Sequence, residues 1–317
     1  MKKTFFLFVA TFFLFSLNAQ DDPMQKYLDS LNQADNPPGK DKVQATFKTF
    51  KIVNAQTIET TKKGTLDFRI IHRFGNMGVS GNGGGHTLWG FDESRDIRFS
   101  FDYGITDNFS VGVGRSKMNE LLDGNLKWRF MTQSTDNKFP LSIALYMDAG
   151  ATAVRESQLY NNMNMTGLSK KFAHRFSYVS QLIIARKQGI FSFEILPSYF
   201  YRNLIIGLAN TPSGEFDRNG MFAMGAAFRV KITKRVSITA DYFYLASSYR
   251  RNNPDYFDPI GVGVEFETGG HVFNINLTNA AGIMENNFFA STTDSWLKGG
   301  YKLGFSISRS FTFNTKH

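Results

Sequence analysis

Large apolar residues occupy every second position along much of this chain, and the positions between them hold charges, Ser, Asn or Gly. In DIRFSFDYGITDNFSVGVG, residues 96–114, Ile97, Phe99, Phe101, Tyr103 and Ile105 share one parity. Asp96, Arg98, Ser100, Asp102 and Gly104 share the other. A period of two is that of a strand with unlike faces. The pattern restarts after Thr106-Asp107-Asn108 with Phe109, Val111 and Val113, so the stretch predicts a hairpin.

The same alternation recurs in rows beginning near Leu66, Leu126, Leu141, Phe176, Phe191, Phe222, Val236, Ile260, Phe273 and Tyr301, which with the hairpin makes twelve strands. Connections near 106–108, 132–140, 186–190, 233–235 and 267–270 read as short. Those near 75–95, 116–124, 152–173, 203–219, 246–258 and 280–299 read as long. Strict alternation of short and long connections is expected of a barrel with a periplasmic rim and an outer rim. An even strand number returns both ends of the chain to the same side.

A soluble sandwich or a lipocalin-like barrel also alternates, but it turns its polar face to water. Here one face is nearly all Phe, Tyr, Leu, Ile and Val, which suits lipid. Hydrocarbon offers no hydrogen bonds, so such a sheet must close on itself. The expected fold is therefore all-β, a closed antiparallel transmembrane β-barrel of about twelve strands over residues 64–313. Tyr103, Tyr178, Tyr199, Tyr201, Tyr242, Tyr244 and Tyr301 fall on the lipid parity and predict aromatic girdles at the headgroups.

Composition sharpens this picture. Thirty-three Phe and twelve Tyr against eight Pro favour strands. The start, MKKTFFLFVATFFLFSLNAQ, has Lys2 and Lys3, an apolar run from Phe5 to Leu17 and then Asn18-Ala19-Gln20. This is the layout of a signal peptide over 1–19, the apolar run being shorter than the roughly 20 residues of a spanning helix. Removing Lys2 and Lys3 takes the formal charge from +9 to +7. Dispersed Lys and Arg on an exported chain fit a solvated surface, anionic lipid headgroups or sugars, and no nucleic-acid partner is expected. There is no Cys, hence no disulfide and no lipid-anchored cysteine.

ATFKTFKIVNAQTIET at 45–60, DYGITDNFSVGVGRS at 102–116, YVSQLIIARK at 178–187, ITKRVSITADYFYL at 232–245 and VEFETGGHVFNINLTNAAGIMENNF at 264–288 resemble an uncharacterised β-barrel family of Gram-negative outer membranes. The resemblance covers about residues 45–313. It implies a fold and an outer-membrane location but no activity and no catalytic residues. SISRSFTF at 306–313 resembles the terminal strand read by barrel-assembly machinery, although NTKH follows Phe313.

Catalysis would need a base beside a nucleophile. Of five His, only His174 stands near a loop-to-strand junction, where a lipid-modifying enzyme would place one, and a polar rim residue is the simpler reading. No metal spacing is present, so no metal and no cofactor is expected. GNMGVSGNGGGHTLWG at 75–90 matches neither phosphate-cradle spacing and reads as an extracellular loop.

The inward charges remain. Among the acids, Asp67, Asp102, Asp148, Glu194, Asp241 and Glu265 are candidates to line the lumen. Among the bases, Arg69, Arg98, Lys127, Arg129 and Arg229 are. Balanced charges there fit either a closed, salt-bridged interior or a narrow pore for small polar solutes. The channel is the first expectation. The alternative is a structural or interaction barrel that holds a periplasmic partner through the polar extension 20–63. That extension contains Asn36-Pro37-Pro38-Gly39 as a linker, and its part from Gln44 to Thr60 enters the lumen as a plug or lies below the barrel. Outer-membrane lipid, lipopolysaccharide and the assembly machinery complete the expected partners.

Overall fold

A computed structural model describes residues 26–27, 29–31, 41–160, 169–205, 214–268 and 270–313. The signal-peptide expectation and the 36–39 linker lie outside the described residues. Twelve strands form one closed sheet in which every strand pairs antiparallel with its chain neighbours. They are β1 (Thr65–Asn76), β2 (Ser94–Thr106), β3 (Phe109–Ser116), β4 (Leu121–Met131), β5 (Ser142–Thr152), β6 (Phe176–Gln188), β7 (Phe191–Arg202), β8 (Gly220–Lys231), β9 (Val236–Ala246), β10 (Ile260–Thr268), β11 (His271–Thr278) and β12 (Lys302–Thr312). β1 pairs with β12 from Thr65↔Thr312 to Asn76↔Lys302, which leaves no sheet edge.

The two faces of the 96–114 stretch now have their explanation. Phe99, Phe101 and Tyr103 are each at least 40% exposed on the outer wall, whereas Arg98 and Ser100 are buried inside. Large side chains outside and charges inside invert the order of a water-soluble protein. The inward glycines of β3 serve the same arrangement. Arg98 on β2 reaches across β3 to Asp123 on β4, and a Cβ at Gly114 would collide with its guanidinium. Gly114→Val should therefore cost about 1–3 kcal/mol by overpacking. Gly124→Val, whose Cβ would meet only the Gly112 carbonyl oxygen at 4.0 Å, should cost little. Midpoints of heat-induced mobility change in detergent compare the two.

One expectation about the connections needs correction. The β3–β4 connection is only residues 117–120, because Leu121 to Gly124 belong to β4, while the β4–β5 connection on the opposite rim runs from 132 to 141. Strict alternation of short and long thus fails at this pair. The cause is that β4 begins with Leu121-Leu122, whose two apolar parities hide the start of the alternation. Elsewhere the rim with the 107–108, 189–190 and 232–235 turns stands opposite the rim of longer loops. We call them the turn rim and the loop rim.

Candidate functional site

The barrel interior is filled from both ends. From the turn rim, the chain enters beside the β4–β5 connection, where Val43 N–H donates to the Gln133 carbonyl at 2.9 Å, and leaves where Gly64 N–H donates to Gly104 at 2.9 Å. Between these points it folds into a short hairpin. Thr57 N–H donates to the Phe50 carbonyl at 2.8 Å and Ile52 N–H to Ala55 at 3.0 Å, around a Val53-Asn54 tip. From the loop rim, the β11–β12 connection dips inward and carries the Glu285–Ser291 helix into the lumen. The segments meet at the buried Lys51–Glu285 ion pair, 2.8 Å.

A hairpin brought into an enclosed space must find partners for backbone groups that have lost water. The inward charges of the wall supply them. Asp241 accepts from Asn54 N–H at 2.6 Å, Ala55 N–H at 3.0 Å and Asn54 Nδ2 at 2.7 Å. Glu194 accepts from Ile58 N–H at 3.1 Å. Lys127 donates to the carbonyls of Thr57 at 2.9 Å and Phe50 at 3.2 Å. Arg73 donates to the Val53 carbonyl at 2.9 Å and to Asn54 Oδ1 at 2.8 Å, and it also reaches the carbonyls of Ala280 and Gly282, so one guanidinium clasps both inserted segments. Arg129 lies 3.5 Å from Glu59 of the returning arm.

The remaining candidate lining residues pair with the wall. Arg69 meets Asp67 at 2.9 Å, Arg98 pairs with Asp123, and Arg229 meets Glu265 at 3.1 Å. Asp102 borders a cavity of about 20 Å³ together with Lys51, Arg69, Arg98 and Lys127. That is room for one or two water molecules. Asp148 is buried, with Asn286 of the inserted helix beside its carboxylate. Sequence reasoning missed Asp123, which it assigned to a loop, and it placed Lys51, Asn54 and Glu285 in no site. Charge gave no signal for them, since balanced wall acids and bases can pair with one another and so imply no further partner.

The interior is not polar throughout, as the sequence pattern had implied. Val179, Ile183, Leu196, Phe200, Phe243 and Leu245 point inward from β6, β7 and β9. They form one apolar cluster with Phe47, Ile52 and Ile58 of the hairpin and with Phe288 and Phe289 of the helix. The Phe289 ring lies 5.3 Å from Phe243 and 4.9 Å from Phe288, in edge-to-face arrangements. The barrel thus has an aqueous-type wall on one side and a protein-type core on the other.

The loop rim is tied over this core. Arg250 pairs with Asp217 at 2.8 Å and donates to the Ala290 carbonyl at 2.9 Å, which joins the β9–β10 loop, the β7–β8 loop and the inserted helix. Burial first and the neighbouring Tyr249 second hold the Tyr256 phenol above its ordinary pKa in the same cluster. His174, the candidate base, meets the Tyr160 hydroxyl at 3.0 Å through Nδ1. His72 lies on the outer wall against Phe74 and Phe305.

Among solved structures, the fold is similar to a NanC porin at 9% identity and TM-score 0.46, over 78% of this chain and 100% of that one. It is similar to the KdgM porin in complex with disordered oligogalacturonate at 7% identity and TM-score 0.43, over 79% and 99%. A third likeness is to LpxR from Salmonella typhimurium at 11% identity and TM-score 0.36, over 78% and 100%. No curated protein sequence matches the chain. Residues 47–311 match the model of a family described as a membrane bound beta barrel domain (DUF5777), and the chain belongs to that family.

Proposed function

We propose that this protein is an outer-membrane barrel, closed to solutes as it stands, that works as a structural or interaction barrel holding a partner on its periplasmic side. The observation that carries the reading is the lumen itself, filled by two segments that meet at Lys51–Glu285 and share one apolar core with the wall. Withdrawing the hairpin would bare Phe47, Ile52 and Ile58, leave Asp241 and Lys127 without their hydrogen-bond partners and strip Arg73 of two of its four acceptors, a cost of many kcal/mol. The outer-membrane assignment draws on the signal-like start and on a sheet without edges. The extension ahead of the hairpin is then the part that would meet a periplasmic protein. Tyr27 donates to the Ile232 carbonyl at 2.9 Å and Lys231 to the Leu31 carbonyl at 3.0 Å, both at the turn rim, which supports placing that extension there. The reading assigns the chain no catalysis.

A narrow channel for small polar solutes is the second reading, favoured by the charged cavity beside the hairpin. Planar-bilayer recording separates the two. The full chain should give no conductance steps, and a variant lacking residues 44–60 that still shows heat-modifiable mobility should give them. Stable steps from the full chain overturn the closed reading in favour of the channel.

A further inference from the structure

The β1–β2 connection carries an apolar tip with no polar purpose inside the protein. Residues 74–91 contain no Asp, Glu, Lys or Arg, and His86 is their one titratable side chain. Val79 is 79% exposed, and Leu88 and Trp89 are each 54% exposed. Leu88 and Trp89 both adopt positive φ, 47° and 52°, a left-handed conformation that large side chains rarely take. Strain of this kind persists where the surroundings hold it, at places with a use for the resulting direction. Here the turn is closed by Trp89 N–H to the Gly84 carbonyl at 2.8 Å and Gly90 N–H to Thr87 at 2.9 Å.

The tip does not stand up from the barrel. Gly75 N–H, at the end of β1, donates to the Gly90 carbonyl at 2.9 Å. A Cβ at Gly90 would collide with the Gly75 backbone, so only glycine lets the loop lie this close to the strand end. The next residue, Phe91, packs on the outer wall, its ring 4.9 Å from Phe74. Phe74 in turn touches His72 and Phe305, both on the outward face. Phe91 is thereby continuous with the lipid-facing surface of a membrane-bound barrel. Trp89 is two residues away and adjoins Gly90, whose carbonyl accepts from the strand end.

We infer that Leu88 and Trp89 insert into the interfacial zone of the surrounding lipid, so that this loop extends the barrel's membrane surface outward. Tryptophan suits that zone because an apolar ring and a polar N–H meet its two neighbours. An uncharged loop enters it without desolvating a charge.

Tryptophan fluorescence tests the placement. A chain with Trp128→Phe and Trp296→Phe keeps Trp89 as its single reporter. It would be refolded into phosphatidylcholine vesicles, with heat-modifiable mobility as the check on folding. We expect blue-shifted emission, strong loss of intensity in lipid brominated near the headgroup, and smaller loss in lipid brominated near the chain ends. Emission typical of water with quenching by aqueous iodide would overturn the inference. So would blue-shifted emission that no brominated lipid quenches, since protein and not lipid would then cover the ring. Because the chain has no cysteine, Leu88→Cys with a nitroxide label gives a second reading in the native tryptophan background. Relaxation by dissolved oxygen should exceed that by a water-soluble nickel chelate, and the reverse order would overturn the inference as well.

Discussion

Asp241→Ala will lower the stability of the folded barrel by roughly 2–6 kcal/mol, each of two buried backbone donors left without an acceptor costing about 1–3 kcal/mol. The donors are Asn54 N–H and Ala55 N–H, while Asn54 Nδ2, which also donates to Asp241, keeps Thr278 Oγ1 at 3.2 Å. Asn54 is fully buried and also receives Arg73 through its Oδ1, so the loss spreads to the clasp between the hairpin and the β11–β12 connection. Asp241→Asn keeps one acceptor oxygen and should lose less. The measurement is the urea midpoint of the refolded protein in lipid vesicles, read by far-ultraviolet circular dichroism. An Asp241→Ala midpoint equal to that of the parent would mean that the hairpin is not seated on this carboxylate.

Phe289→Ala should cost about 3–5 kcal/mol, the range for a large aromatic removed from a packed core. Phe289 is fully buried among Phe200, Phe243 and Phe288, all enclosed by the barrel wall and the inserted helix. The useful comparison is Phe99→Ala. Phe99 is 46% exposed on the outer wall, and in the membrane its neighbours are lipid chains that flow into the vacated space. Its replacement should therefore lose only the transfer part, roughly 1.5–3 kcal/mol, without the added cost of an unfilled hole. A core inside the barrel predicts the larger loss at Phe289. An open, wet lumen predicts the reverse order, because Phe289 would then contribute little. The same urea series decides between them, and a far smaller loss at Phe289 than at Phe99 would mean that the helix does not pack there.

How much of this was readable in advance depends on which face of a strand is considered. On the outer wall, lipid asks only that a side chain be apolar, so alternation marked Phe99, Phe101, Tyr199, Tyr201, Phe222 and Tyr244 without knowledge of any neighbour. On the inner wall the requirement is complementarity. YVSQLIIARK is apolar on both parities at Leu182 and Ile183, and the row through Tyr242, Phe243, Tyr244 and Leu245 is likewise. These doubled runs were the trace of an apolar interior on one side, and they matched the apolar residues of ATFKTFKIVNAQTIET. Neither run names its partner, so the match is visible only when both are in place. The charged side behaves alike, because Asp241 and Lys127 look like pore-lining charges until the backbone groups that they satisfy are known.

The residue pattern by itself determined a closed twelve-stranded sheet with a lipid-facing wall, because that result rests on a period-two constraint local to each strand and on the demand that hydrocarbon leaves no edge unpaired. Only the tertiary structure decided what fills the interior. Contacts such as Lys51–Glu285 and Asn54–Asp241 join residues nearly two hundred or more positions apart, and no periodicity along a chain encodes which distant groups will meet once water is excluded.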